Sequence, residues 1–451
     1  MGDALLSEEG QPRAAGLSVV LLTMVWFAEL VLTVRPVPGL SRVGEAALAG
    51  FVLLALARAS GHIRALSLVV FAASAALAWW GSVPATLAHG FERSQIFGAF
   101  LPSVLLLRAT AEASPRLERM RHGLGGLDSA ASQNWTLYGS HALGAVLSVG
   151  AMSIVAPVVA RGAAPAERCR LAAASARGVG TAVTWSPFFV AIAFTSQLVP
   201  RAPVWEVMSV GAGLGAIGLA LSQALFTPQL DARGFRASVA ELRPLLAPMA
   251  IIVAAVVSAS ALLHLNGLQA VTLVVPLFCA AYLATLGADA ALATLRRTFA
   301  SFARLADEML IVVSATMLAA VVSALPAVRA MGASMTPGLI SGFPLLAALV
   351  FALVALGLAG LHPMIGAGIL LPVLASGPFG ITPVVLVSGA VFAWALSASI
   401  SMWTLPVVAA SIHFGVPVRE LMTRRSLLYG LLYAAAGVLY LGAVNAVSGG
   451  S

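Results

Sequence analysis

The chain has 451 residues, 60% of them hydrophobic and 9% charged, and its mean hydropathy is +0.99. A soluble domain carries about 25% charged residues, so the composition excludes a water-facing fold and predicts an all-α polytopic membrane protein. The net charge of +8 does not point to nucleic acid, because the basic residues lie in short stretches between apolar runs, as the positive-inside bias requires.

All 25 basic residues are arginine, and alanine is abundant. Both fit a GC-rich bacterial genome and hence a place in a bacterial inner membrane. Cys169 and Cys279 lack metal-like spacing, which argues against a disulfide framework or a zinc site. Residues 1–16 carry Asp3, Glu8, Glu9 and Arg13 and no basic n-region, so a cleaved signal peptide is not expected.

Apolar runs of about 20 residues can cross a bilayer. In chain order they fall near 15–34, 43–59, 64–81, 94–110, 135–160, 178–199, 204–226, 243–264, 268–286, 306–326, 338–360, 363–376, 380–412 and 427–447. The first holds Glu29, and an intramembrane carboxylate is costly and a functional candidate; its neighbour Arg35 allows an interfacial place instead. Segments 111–133 and 286–305 are less apolar and carry several arginines. They read as interfacial amphipathic helices, either arms of a moving domain or plain connectors.

The run at 135–160 contains Gly139, Ser140, His141, Gly144, Gly150 and Pro157. Arginines precede it (Arg108 to Arg121) and follow it (Arg161, Arg168, Arg170, Arg177). The two clusters share a membrane face only if this run is a re-entrant hairpin. The next run, 178–199, contains Thr181, Thr184, Trp185, Ser186 and Pro187. Proline lacks an N–H and clashes with the carbonyl four residues earlier, so a broken helix is predicted. Gly211, Gly213 and Gly215 in the following run read as a helix-packing face. Asp307 and Glu308 open a later run, where acids at a helix start are favourable.

In the second half, Gly360-Leu361-His362-Pro363 opens a short run bounded by Gly377-Pro378, read as a second hairpin over 362–377. The run at 380–412 is too long for one straight span and breaks around Ser397, Ser399, Ser401, Trp403, Thr404 and Pro406. Trp185 and Trp403 are 218 positions apart, Pro187 and Pro406 219, and His141 and His362 221. These offsets predict two repeats, 1–226 and 227–451, each with a hairpin and a broken helix. Paired interruptions of this kind point to a transporter's binding site.

No Asp or Glu lies within either interrupted motif. That favours a neutral, dipole-lined site: half-helix N-termini suit an anion, while unwound carbonyls suit a cation such as sodium. A structural kink rescued by neighbouring hydroxyls is the alternative. His362 lies two residues after Gly360 and precedes a proline that can start a half-helix. There it is placed to meet an anion or carry a proton, or simply to cap its helix. His141 is its counterpart. A Walker-type loop is excluded by the absence of lysine, and no H-E-x-x-H occurs, so no enzyme activity and no cofactor beyond a bound sodium ion is expected.

On the motifs around Trp185-Ser186-Pro187 and Trp403-Thr404-Leu405-Pro406, and on the two hairpin segments, the chain resembles the ion transporter superfamily. That group includes the divalent anion/sodium symporters, the arsenite and citrate permeases and the large membrane subunit of tripartite transporters. The resemblance implies paired re-entrant hairpins, inverted repeats and an elevator motion of a transport domain against a scaffold. The symporters carry Ser-Asn-Thr at hairpin tips; here Ser132, Asn134 and Thr136 precede the first hairpin. The expected protein is a secondary transporter in the lipid bilayer, with about 11–12 spans plus two hairpins. It takes a small anionic solute, is coupled to Na+ or H+, and is expected as a homodimer. A permease subunit of a multi-component uptake system and an exporter of an inorganic anion are the other readings.

Overall fold

The structure is a computed structural model that describes residues 10–116, 129–160, 162–227, 232–334 and 342–449. Among these residues every regular element is a helix. Nine helical segments in them are long and apolar enough to cross a membrane. The chain is a multi-pass helical membrane protein. It divides into two compact units, each drawn from both halves of the sequence.

The first unit comprises residues 1–113 and 258–331. It holds α1 (Gly10–Val34), α2 (Leu40–Arg58), α3 (Gly61–Trp80), α4 (Ala85–Ser94) and α5 (Phe97–Glu112). The chain returns to it through the end of α11 (Ala232–Leu262), then α12 (Gly267–Ala284), α13 (Ala288–Phe302), α14 (Ala306–Ala324) and the start of α15 (Pro326–Ser334). The run read from residue 94 begins earlier: α4 and α5 together span Ala85–Glu112. α14 is buried against α2, α3 and α4. Its first-turn Asp307 accepts a bond from the Ser60 backbone N–H at 3.0 Å, a second reason for an acid at this helix start. Glu29 of α1 accepts from the Gln95 amide at 2.5 Å, so the carboxylate is paired inside this unit. The amphipathic reading of 286–305 corresponds to α13, which lies on α5 and α1; most of 111–133 lies outside the described residues.

The second unit comprises residues 114–257 and 332–451. Its first-half elements are α6 (Ser129–Leu147), α7 (Gly150–Val159), α8 (Pro165–Ala182), α9 (Val190–Leu198) and α10 (Val204–Phe226). Its second-half elements are α16 (Phe343–Leu358), α17 (Pro363–Ala375), α18 (Pro383–Ile400), α19 (Leu405–Phe414), the single turn α20 (Val418–Leu421) and α21 (Arg424–Gly449). The order long helix, short helix, broken helix, long helix therefore occurs twice. The packing is reciprocal: α9 lies on α17 and α18, while α19 lies on α7 and α8.

The first hairpin is α6–α7, with its turn at Ser148 (φ 52°). The second differs from the sequence reading. Residues 363–375 form one helix, α17, and its antiparallel partner is the preceding α16. The turn falls at Gly360, whose φ of 88° disfavours any residue with a Cβ. The first broken helix also begins well before residue 178. Pro165 occupies the first position of α8 and Glu167 its first turn, both favourable helix starts. Arg168, Arg170 and Arg177 are thus helical residues, not a loop cluster. Hydropathy conceals this helix because Glu167, Arg168, Arg170 and Arg177 lower its average, although its buried side is built of small residues such as Ala172, Ala176 and Gly180.

Candidate functional site

α8 ends at Ala182 and α9 starts at Val190, leaving residues 183–189 as the link. α18 ends at Ile400 and α19 starts at Leu405, leaving residues 401–404 as the link. Pro187 lies in the first link. Pro406 lies in the first turn of α19, where proline is tolerated, yet it still forbids a continuous helix because its ring would meet the carbonyl four residues back. The two prolines therefore break their helices from different positions.

The serines match instead. Ser186 Oγ donates to the Ala145 carbonyl of α6 at 2.5 Å and accepts from the Phe188 N–H at 3.3 Å. Ser401 Oγ donates to the Gly357 carbonyl of α16 at 3.1 Å and accepts from the Trp403 N–H at 3.4 Å. Each ties a helix break to the first arm of its own hairpin. Thr184 Oγ1 lies 2.7 Å from the Thr181 carbonyl and 2.8 Å from that of Gly211. Thr404 Oγ1 lies 2.7 Å from the Ser401 carbonyl. A hydroxyl has one proton to give, and here the protein's own carbonyls receive it. Direct donation from these four hydroxyls to a bound solute, as the motifs suggested, would require these bonds to break.

Ser397 and Ser399 donate to the carbonyls of Ala393 and Ala395 in their own helix. They are packed against Gly357 and Gly180, where a Cβ would overlap them. Both serve helix packing. Gly211 and Gly215 do the same on α10: a Cβ on Gly211 would enter the Thr184 carbonyl.

The tryptophans and histidines occupy unlike places. Trp185 Nε1–H donates to His141 Nε2 at 3.1 Å. The indole N–H can only donate, so the neutral His141 ring carries its proton on Nδ1. Nδ1 lies 2.9 Å from Thr181 Oγ1, which donates to the Gly178 carbonyl at 2.9 Å. His141 is thus mid-helix in α6, within a chain of bonds leading to α8. His362 is at a hairpin tip. It is the N-cap of α17, where Pro363 takes the first position, and its Nδ1 accepts from the Met364 N–H at 3.3 Å. That leaves the proton on Nε2. Its ring stands edge-on to Trp394, 5.5 Å between centroids. Trp403 is 67% exposed and lies against Gly360 at the same tip. It does not mirror Trp185.

The half-helix starts are the remaining polar feature. No side chain caps the N-terminus of α9 or of α19. Such an end carries free N–H groups and about half a positive charge. Among the described residues no group of three or more His, Cys, Asp or Glu is placed to hold a metal ion.

Sequence reasoning treated Arg177 only as a topology marker. It is 3% exposed, in α8, one turn before Thr181. The available signal was its spacing of four from Thr181, which sets both on one helix face.

No family model matches the sequence, and no curated protein matches it. Among solved structures, the crystal structure of the Alcanivorax borkumensis YdaH transporter, described as having an unusual topology, is similar with a TM-score of 0.50 and 16% identity. The match covers 79% of this chain and 86% of that one. The likeness is one of fold.

Proposed function

We propose that the protein is a secondary active transporter of a small organic anion, driven by a sodium or proton gradient. The observation that carries this reading is the reciprocal pair of broken helices, each latched to a hairpin by one serine and each presenting an uncapped half-helix N-terminus. The fold likeness to a transporter structure supports it.

In this reading the anion's charge is met by the N–H groups at the starts of α9 and α19, and by His362 Nε2–H at the tip of α16–α17. Ser186, Ser401, Thr184 and Thr404 hold the breaks open and set those N–H groups, rather than touching the solute. A sodium ion would take carbonyls of the same links. The two halves of the second unit act as inverted repeats and move as the elevator, and the chain functions as a homodimer. The expected seat is a bacterial inner membrane.

The test is uptake of labelled small carboxylates into proteoliposomes under an imposed sodium or pH gradient. Ser401→Ala and His362→Ala are expected to abolish uptake while the protein is still inserted and monodisperse. Full uptake by both variants would remove this assignment.

A further inference from the structure

Ala166, Cys169, Arg170, Ala173 and Arg177 follow a helical spacing and share one face of α8. That face lines an open cavity of about 560 Å³, bounded on the other side by Phe226 of α10, by Glu420 and Leu421, and by Thr423 to Ser426. The two alanines leave the space; larger residues at those positions would fill it.

Arg177 is the deepest polar group on this wall. Its Nε donates to Ser222 Oγ at 2.9 Å, and its guanidinium carbon lies 3.7 Å from the centre of the Phe226 ring. Among the described residues no carboxylate is ion-paired with it, and its four terminal N–H groups have no protein acceptor. An arginine does not shed its proton. A buried cation without a counter-charge is strongly destabilising, and a cation–π contact offsets only part of that. Arg170, Arg424 and Arg425 line the same cavity. The one acid there, Glu420, is engaged by Cys169 Sγ at 3.2 Å. Four guanidiniums thus face one carboxylate, beside the apolar surfaces of Phe226 and Leu421.

We infer that this cavity binds the acidic group of an amphipathic organic anion. The oxyanion takes the terminal N–H groups of Arg177, a geometry suited to a planar carboxylate or a phosphate. The apolar body lies on Phe226 and Leu421. The inference stands on this cavity alone and does not need the transport reading. Arg168, Arg170, Arg419, Arg424 and Arg425 gather at this end of the unit, which marks it as cytoplasmic by the positive-inside bias. Two sources carry the required chemistry: a soluble organic acid and the headgroup of an acidic phospholipid.

The experiment is benzoate titration of the detergent-purified full-length chain, read by calorimetry. In parallel, thermal midpoints are compared in nanodiscs of phosphatidylcholine with and without phosphatidylglycerol. Saturable benzoate binding, weakened tenfold or more by both Arg177→Gln and Ala173→Phe, supports a site for a soluble acid. A midpoint raised by phosphatidylglycerol in the natural sequence but not in Ala173→Phe supports the lipid source. Ala173→Phe keeps every arginine and only fills the space, so it carries the test if Arg177→Gln does not fold. Benzoate affinity equal in the natural sequence and Ala173→Phe, together with any phosphatidylglycerol effect surviving in Ala173→Phe, would overturn the inference. So would the absence of benzoate binding together with midpoints indifferent to phosphatidylglycerol.

Discussion

Ser186 and Ser401, 215 positions apart in the sequence, perform the same task with the same two bonds. Each receives the N–H two residues on and gives its proton to a carbonyl in the hairpin arm that precedes its own broken helix. A helix that stops inside a membrane must find partners for the backbone groups it releases. Here one side chain serves both the break and the hairpin, so the two are mechanically joined in each half.

Replacing Ser186 by alanine removes the side-chain donor to the buried Ala145 carbonyl, while replacing Ser401 leaves the Gly357 carbonyl with only the Gly360 N–H at 3.2 Å. Each of Ser186→Ala and Ser401→Ala is expected to destabilise the fold by about 1–3 kcal/mol, seen as a lowered thermal midpoint in detergent. The loss should be the smaller for Ser401→Ala, because the Gly357 carbonyl keeps the Gly360 N–H. A midpoint unchanged by both substitutions would refute the latch.

The two histidines are expected to hold opposite neutral tautomers. His141 accepts at Nε2 from Trp185 and therefore carries its proton on Nδ1. His362 accepts at Nδ1 from the Met364 N–H and carries its proton on Nε2. Nitrogen-15 NMR of histidine-labelled protein distinguishes the two forms directly. Trp185→Phe should shift only the His141 signals.

Gly211 meets the backbone of the first helix break, not a flexible side chain. Gly211→Ala should therefore cost about 1–3 kcal/mol by overpacking. Gly215→Ala, where the new Cβ would lie 3.1 Å from Thr184 Oγ1, should cost less. Paired thermal denaturation curves give the ranking, and the reverse order would contradict the close approach of α10 to the break.

Gly360 is limited by its dihedral angle, not by space. Its φ is 88°, and the nearest atoms to an added Cβ, on the Trp403 indole, are 3.8 Å away. Gly360→Ala should cost about 1–2 kcal/mol through backbone strain alone. An asparagine, which tolerates left-handed backbone better, should cost less than the alanine in the same assay.

The sequence by itself determined the class and the places where helices fail. Apolar runs and sparse charge required a polytopic helical membrane protein. Pro187 and Pro406 with their neighbouring hydroxyls located both breaks, and Gly211 and Gly215 located a close helix crossing. These features are local, acting through backbone geometry within one turn of the residue concerned. The tertiary structure decided what matches what. The tryptophans, prolines and histidines that share an offset of about 220 positions occupy unlike places, whereas the serines at a different offset make equivalent bonds. It also assigned α17 to α16 as its hairpin partner and placed Arg177 inside the protein. None of this was legible in hydropathy, which registers how apolar a segment is and not whether it faces lipid or another helix. The acceptors of Ser186 and Ser401 lie more than 40 residues upstream, and only folding brings them within a hydrogen bond's length.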